Sequence, residues 1–241
     1  MSIIREFTTY IRRPYYFEHK EKWSKETIIS LLKLFALKFV IIFLAFIFAR
    51  ILLSFFIGAD QMPSNQSLKK IRNIDLSRIL MVAIFGPFFE ELLFRSWLRK
   101  RWSILSIPLL LILIYAFIIV QGLDILTDKT MFYIIMITFI IYAFVIYNVL
   151  SRKKLAHALI EKSFPIIFWI TALLFGLVHL SNFNSLNGIG PVAVLLVLPQ
   201  IISGIFYGFI CMRFSFSASF LMHSVWNGSI VLLAISTTHL V

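Results

Sequence analysis

The sequence predicts an all-α fold, a polytopic transmembrane helical bundle of about seven spans, with a range of six to eight. Hydrophobic residues make up 60% of the 241 residues, and the mean hydropathy is +0.93, whereas a soluble domain is about half apolar. Several apolar runs of about 17–25 residues are long enough to cross a hydrocarbon core of ~30 Å. These runs are continuous, a pattern typical of helices and not of a transmembrane β-barrel.

The formal net charge of +12 is consistent with a membrane protein. In a soluble chain it would indicate nucleic acid, but here the basic residues lie between the apolar runs, where they set topology and contact anionic headgroups. No basic and aromatic nucleic-acid module is visible. We therefore expect membrane lipids as partners and no nucleic acid. The single cysteine, Cys211, excludes an intrachain disulfide and a cysteine metal cluster.

The distribution of charged and apolar residues divides the chain into two regions. Residues 1–27 are basic with interleaved aromatic rings, which predicts a cytoplasmic, amphipathic segment at the membrane interface; a substrate-gating arm is the alternative. Residues 28–241 form a single transmembrane domain. Lys and Arg between the spans are concentrated on the side of the N-terminus. The positive-inside rule then places the N-terminus in the cytoplasm and the C-terminus outside. We expect an integral multi-pass protein of a bacterial cytoplasmic membrane.

The seven apolar runs are taken as spans, with polar loops between them and a basic linker over residues 151–163. Lys33 and Lys38 near the start of the first span, and Arg50 near its far end, are expected to snorkel to the interface. The predicted spans are residues 28–57, 78–98, 104–120, 131–150, 164–180, 192–212 and 215–235.

The second span carries Glu90, Glu91 and Arg95 inside an apolar run. A charge near the bilayer centre costs roughly 2.5–3.5 kcal/mol, so it usually marks a site or a pathway. Glu91 and Arg95 are four residues apart on one helix face, which predicts an ion pair and leaves Glu90 uncommitted. Alternatively, both glutamates only neutralise Arg95 and neighbouring cations. The Gly86-Pro87 step is expected to kink or restart the helix just before them.

Two histidines also lie in apolar spans. His179 ends the run Phe175-Gly-Leu-Val-His179, and His223 is followed four residues later by Asn227 on the same face. A lone intramembrane histidine often makes only an interhelical hydrogen bond, but two of them with a glutamate pair are harder to explain in that way. The remaining histidines are expected to be exposed and are given no role: His19, His157 and His239.

These residue types suit hydrolysis. A carboxylate with an imidazole can polarise a water as general base, and a second imidazole with an amide can donate to a developing oxyanion. The same set could hold zinc, because one Glu and two His form a known catalytic ligand set with an open fourth position. The compact H-E-x-x-H spacing is absent. The residues by themselves leave both readings open.

At these positions the chain resembles the CPBP family, the CAAX-protease and bacteriocin-processing (Abi) group of intramembrane proteases. The family's EExxxR, FxxxH and HxxxN/D motifs match Glu90–Arg95, Phe175–His179 and His223–Asn227. The resemblance covers a core at residues 79–101 and 164–232, including Gly204-xxx-Gly208, a spacing that lets helices approach closely.

The resemblance implies an intramembrane endopeptidase in which Glu90 and His179 activate water. His223 and Asn227 would stabilise the oxyanion. It implies no required cofactor; the alternative is zinc on Glu90, His179 and His223. The substrate would be a peptide or protein, possibly lipidated or a leader peptide. The residues implied to shape the site are Glu91, Arg95 and Phe175.

One departure from the family concerns the spacing, since 83 residues separate Arg95 from His179 and they contain two additional apolar runs. We expect this hairpin, residues 104–150, to line or block a lateral entrance. Under the predicted topology Glu90 lies nearer the cytoplasmic end of its span and His179 nearer the outer end. Two other functions remain open: a non-catalytic bacteriocin self-immunity or membrane binding protein on the same fold, and a transporter with a carboxylate–histidine proton relay.

Overall fold

The computed structural model describes residues 2–17, 23–58, 63, 76–95, 98, 153–183 and 190–238, and all regular elements in these ranges are helices. Residues 81–85 form a π-helical turn, and 3₁₀ segments cover Val178–Asn182 and Gly190–Val197. The α-helices are α1 (Ile3–Arg12), α2 (Lys25–Ile57), α3 (Leu76–Leu80), α4 (Gly86–Arg95), α5 (Lys153–Leu177), α6 (Leu198–Arg213) and α7 (Phe216–Thr238).

Within the described residues, four helical stretches are long and apolar enough to cross a membrane. They coincide with the first, fifth, sixth and seventh predicted spans and confirm a polytopic helical bundle. The second predicted span is helical over residues 76–95 but carries four charged residues and is not among them. The third and fourth predicted spans lie outside the described residues, so the number seven stays a prediction. The four stretches are Lys25–Ile57, Glu161–Asn182, Gly190–Arg213 and Phe216–Ser236.

Two sequence expectations are wrong. The predicted basic linker is helical from Lys153 onward, because α5 begins there and continues to Leu177. The Lys, Leu, Ala and Glu residues of this stretch are good helix formers. Lys38 does not snorkel, because its side chain is fully buried inside the bundle. Lys33 and Arg50, in contrast, are exposed.

Helix α6 lies at the centre and packs against α5, α2 and α7. Its close approach to α5 depends on glycine. A Cβ on Gly204 would lie 2.9 Å from the carbonyl oxygen of Ala172, and one on Gly208 would lie 2.8 Å from the ring of Phe168. Real side chains essentially never come so close, so the predicted small-residue spacing at Gly204-xxx-Gly208 is confirmed as a helix contact.

Helix α2 contacts the bundle through one stripe. Its buried positions recur every three or four residues, the spacing of a single helix face. The other faces carry exposed phenylalanine, leucine and isoleucine side chains, as a lipid-facing helix does. Lys38 falls inside the stripe, which is why it points inward. The stripe consists of Thr27, Leu31, Leu34, Lys38, Ile42, Ala45, Ala49 and Leu53.

The N-terminal helix α1 packs on α2 and α6 through Ile3, Phe7 and Tyr10, which are buried. The Phe7 ring stacks on that of Phe206 with 4.3 Å between centroids. Burial raises the pKa of the Tyr10 phenol far above its ordinary value. An ion pair joins Glu6 of α1 to Arg213 at the end of α6, with 2.5 Å between Oε1 and Nε. The amphipathic face of α1 therefore docks on protein at the α6–α7 end of the bundle.

Candidate active site

The π-helical turn sets the direction of the helix that carries the glutamates. The Gly86 amide donates to the carbonyl oxygen of Met81, five residues back. A Cβ on Gly86 would lie 2.9 Å from that oxygen, so the turn requires glycine. The next residue, Pro87, has no N–H, and in the same i→i−5 pattern it leaves the carbonyl of Val82 without a backbone donor. The predicted break at Gly86-Pro87 is thus a π turn just before α4.

Three of the predicted catalytic side chains converge from separate elements. Glu90 Oε2 lies 3.8 Å from His179 Nε2 and 3.7 Å from His223 Nε2. The Glu90 side chain is 30% exposed and that of His179 is 19% exposed, whereas that of His223 is 3% exposed. The site is therefore open on the side of Glu90 and His179. The difference in depth expected from the topology does not keep Glu90 and His179 apart.

The hydrogen bonds of the two histidines fix which ring nitrogen faces Glu90. His179 Nδ1 is 2.7 Å from the carbonyl oxygen of Phe175, and because a carbonyl can only accept, Nδ1 carries the hydrogen. His223 Nδ1 is 3.1 Å from Glu91 Oε1 and donates to that carboxylate in the same way. Both rings consequently present Nε2 to Glu90 Oε2.

Glu91 and Glu90 have different surroundings, as the helix spacing predicts. Glu91 is fully buried and pairs with Arg95, with 3.4 Å between Oε2 and Nε. It also accepts a hydrogen bond of 2.5 Å from Ser219 Oγ and the hydrogen bond from His223. Glu90 Oε2, in contrast, is buried with no hydrogen-bond partner among the described residues. A polar atom of this kind is expected to bind a water or a ligand.

Phe175 forms the apolar floor under these groups. Its ring centroid lies 5.1 Å from that of His179 and 5.6 Å from that of His223. The guanidinium carbon of Arg95 lies 4.9 Å from the same centroid. Phe175 therefore packs against both imidazole rings and against the guanidinium of Arg95.

Asn227 contacts the π turn. Its Nδ2 donates to the Val82 carbonyl at 3.1 Å, the carbonyl that Pro87 leaves without a backbone donor. This hydrogen bond ties α7 to the turn before Glu90. The described contacts thus bring the side chains of Glu90, His179 and His223 together. They hold Asn227 against the backbone of the π turn that precedes the helix of Glu90.

Three further residues complete the site and were missed in the sequence. Ser219 lies four residues before His223 on one face of α7, so helix spacing could have pointed to it. Tyr207 stacks on His223 with 4.4 Å between centroids and 22° between planes, and Lys38 donates to the Tyr207 hydroxyl. Tyr207 carries no local signal, because its contacts come from other helices.

The types of the side chains at this site fit zinc better than the distances between their atoms do. Second-sphere hydrogen bonds on Nδ1 of both histidines are typical of metal ligands. Ligand atoms around tetrahedral zinc, however, lie roughly 3.4 Å apart, so the separations of 3.7 and 3.8 Å would have to contract. A water that makes hydrogen bonds of about 2.8 Å to both partners at a tetrahedral angle would need the same separations to widen to roughly 4.5 Å. In the part of the chain that the structure describes, no group of three or more His, Cys, Asp or Glu residues is arranged to hold a metal ion.

Comparison with known families adds one match. The family described as Type II CAAX prenyl endopeptidase Rce1-like matches residues 129–229. The resemblance to the CAAX-protease family is confirmed. The matched range contains His179, His223 and Asn227, whereas Glu90 lies before it. No curated protein and no solved structure matches the chain. The match covers less than half of the chain, and together with the four apolar helical stretches it indicates a multi-pass membrane protein that is similar to the CAAX-type peptidases.

Proposed function

We propose that the protein is an intramembrane endopeptidase that hydrolyses a peptide bond at or near the membrane with a water activated by Glu90 and His179. The observation that carries the proposal is the convergence of Glu90 Oε2 with Nε2 of His179 and His223 at 3.8 and 3.7 Å. A carboxylate whose Oε2 has no hydrogen-bond partner among the described residues, next to an imidazole with an unprotonated Nε2, is a suitable general base. The Rce1-like match supports a peptidase.

In the proposed reaction Glu90 carries a proton from the water to the leaving nitrogen. Water held between Glu90 Oε2 and His179 Nε2 loses a proton to Glu90 while its oxygen forms a bond to the peptide carbonyl carbon. The carbonyl electron pair moves to the oxygen, which becomes the oxyanion. Glu90 then passes the proton to the leaving nitrogen as the C–N bond breaks, and an acid and an amine are released.

The oxyanion would be stabilised by His223 and Asn227. The hydrogen on His223 Nδ1 is already donated to Glu91, so donation from Nε2 requires a second proton on the ring. Glu91 is placed to stabilise the resulting imidazolium by its charge. In this mechanism Glu91 acts on the reaction through His223, while Arg95 and Ser219 hold Glu91 in place.

The protein's own residues supply every step of this mechanism, and we propose no required metal. If zinc is bound, Glu90, His179 and His223 would hold it, and the metal would lower the pKa of its bound water to about 7. Glu91 and the Phe175 carbonyl would then orient the two imidazoles through Nδ1.

The test uses purified full-length protein in lipid nanodiscs and a panel of fluorogenic peptides, with a prenylated C-terminal peptide, its unprenylated form and a leader peptide. Wild type should cleave at least one of them. Glu90→Gln should lower kcat by roughly a thousandfold, because the base is lost while the shape is kept. Glu26→Gln, an exposed glutamate on α2, is the matched control and should keep full activity.

Full cleavage by the Glu90→Gln variant would contradict the proposal. The alternative of bacteriocin self-immunity has its own readout, the survival of expressing cells exposed to bacteriocin. Protection that persists in Glu90→Gln cells, with no cleavage by wild type, would favour a non-catalytic binding protein.

A further inference from the structure

A cleft of about 630 Å³ opens between the chain that follows α1 and the N-terminal half of α5. The apolar stretch of α5 begins at Glu161, so the cleft lies at the level where hydrocarbon meets headgroups. Lys162 is 17 residues before His179, roughly 25 Å along a helix, so the cleft is separate from the candidate active site. One wall carries Arg13, Tyr15 and Tyr16, and the other carries Glu161, Lys162 and Pro165.

Aromatic contacts hold the first wall against the bundle. The Tyr16 ring meets that of Phe164 edge-on, with 6.0 Å between centroids, and Phe164 is fully buried in α5. The Tyr15 ring lies 5.3 Å from that of Tyr10, which is buried on α1. The cleft is therefore preformed, and a ligand that enters it loses little affinity to the ordering of protein groups.

The charges of the lining favour an anion. Arg13 and Lys162 bring one cation from each wall and Glu161 brings one carboxylate, so the lining has one more positive than negative charge. Both cations are exposed and therefore accessible to a ligand in the cleft. Guanidinium and ammonium groups bind phosphate through charge-assisted hydrogen bonds, and tyrosine rings are common at the headgroup level of a membrane. The lining therefore suits a phosphate group with net negative charge.

An apolar stripe on the outer face of α5 continues from the cleft into the membrane. It consists of Ile166, Trp169 and Leu173, which follow Lys162 in steps of four, three and four residues and therefore share its helix face. All three side chains are exposed. An acyl chain that starts at the cleft can lie along this stripe, whereas a water-soluble phosphate would use only the polar part. The combination of cleft and stripe favours a phospholipid.

We propose that the cleft binds one anionic glycerophospholipid. Its phosphate lies between the guanidinium of Arg13 and the ammonium of Lys162, and one acyl chain lies along the outer stripe of α5. The bound lipid links the chain after α1 to α5 and stabilises the docking of α1 on the bundle. This binding is independent of the proposed hydrolysis, because none of these residues belongs to the candidate active site.

The first experiment measures lipid binding by native mass spectrometry of purified full-length protein in detergent micelles. Phosphatidylglycerol and phosphatidylcholine with the same acyl chains are titrated separately. Wild type should retain one phosphatidylglycerol about tenfold more tightly than phosphatidylcholine, since only the former has a net negative charge. Arg13→Gln and Lys162→Gln should each weaken phosphatidylglycerol binding by about five- to tenfold. Both residues are exposed, so the variants should unfold at the wild-type temperature in the absence of added lipid.

Charge-matched controls separate this site from the general attraction of a basic protein for anionic lipid. Arg12 and Lys33 are exposed and do not line the cleft, so Arg12→Gln and Lys33→Gln should bind phosphatidylglycerol as wild type does. Equal retention of the two lipids by wild type would overturn the proposal. A loss of binding that is as large in the controls as in the cleft variants would overturn it as well.

A second measurement distinguishes a lipid from a soluble phosphate. The unfolding temperature of wild type in detergent should rise with added phosphatidylglycerol and stay unchanged with the same concentration of glycerol 3-phosphate. Ile166→Ser should reduce the rise, whereas Ile51→Ser on α2, with the same exposure of 63%, should not. An equal rise with glycerol 3-phosphate would assign the cleft to a soluble phosphate and overturn the lipid proposal. Neither measurement needs cleavage, so a protein that hydrolyses no peptide would contradict only the proposed function.

Discussion

Two adjacent glutamates of α4 both contact His223, through different ring nitrogens, but their other partners differ, and this difference separates a structural role from a chemical one. Glu91 accepts hydrogen bonds from Ser219 and His223 and pairs with Arg95 in a fully buried position. Glu90 points to the two imidazoles and is partly exposed. A substitution of Glu91 should consequently lower stability, whereas a substitution of Glu90 should lower activity.

Glu91→Gln should destabilise the folded protein, because it leaves the buried Arg95 without its counter-charge. Removing one partner of a buried ion pair typically costs about 3–5 kcal/mol in the free energy of unfolding. The measurement is thermal unfolding in detergent, in parallel with Glu90→Gln, which should unfold close to wild type.

The double variant Glu91→Gln with Arg95→Met is the control for this interpretation. Removing both charges should restore most of the lost stability, while His223 remains without its carboxylate partner and cleavage stays low. If the double variant is no more stable than Glu91→Gln alone, the ion pair is not what stabilises α4.

At the scale of helices, the contact of α5 with α6 depends on the absence of a side chain. Gly204→Ala would place a Cβ 2.9 Å from the carbonyl oxygen of Ala172, a backbone atom that can move only with its helix. We expect a loss of about 1–3 kcal/mol in the free energy of unfolding and a lower kcat, because α5 leads directly into the 3₁₀ segment that carries His179 and α6 carries Tyr207.

Gly228→Ala makes the same substitution in α7, where the nearest atom to the added Cβ is 3.9 Å away on Ala83. This is ordinary van der Waals contact, so stability should be kept or raised by up to about 1 kcal/mol through helix propensity. Unfolding of both variants by heat in the same detergent measures the difference. Equal effects at the two glycines would show that close packing is not the cause.

Local spacing explains which parts of the site the sequence could predict. The Glu91–Arg95 pair and the shared face of His223 and Asn227 are four-residue relations within one helix, and the family motifs mark them. Lys38 and Tyr207 are 169 residues apart, and only the packing of α2 on α6 brings them together. The buried stripe of α2 would have indicated that Lys38 faces inward, but not which residue it meets.

For the molecule as a whole, the role of a metal can be tested by its removal. We expect cleavage to be unchanged after dialysis against 1,10-phenanthroline, because in the proposed mechanism Glu90 and His179 activate the water without a metal. Metal content of the purified protein is measured before and after dialysis. Activity that falls with the zinc content and returns when zinc is added would instead assign Glu90, His179 and His223 as ligands.

Orientation in the membrane is the last property that the bundle makes testable. Glu6 of α1 contacts Arg213 at the end of α6, so the N-terminal helix and the α6–α7 turn share one side of the membrane, and Ser236 at the far end of α7 lies on the other. The single cysteine, Cys211, is buried, so a cysteine introduced at an exposed position will dominate labelling by an impermeant maleimide.

Arg12→Cys should be labelled in spheroplasts only after permeabilisation, and Ser236→Cys without it, because the basic residues of the N-terminal side are retained in the cytoplasm. The unmodified protein, with only Cys211, gives the background. The reverse labelling pattern would invert the orientation and place the α1 end outside. Since Glu90, His179 and His223 are fixed within the same bundle, the result also determines which side of the membrane lies nearer to them.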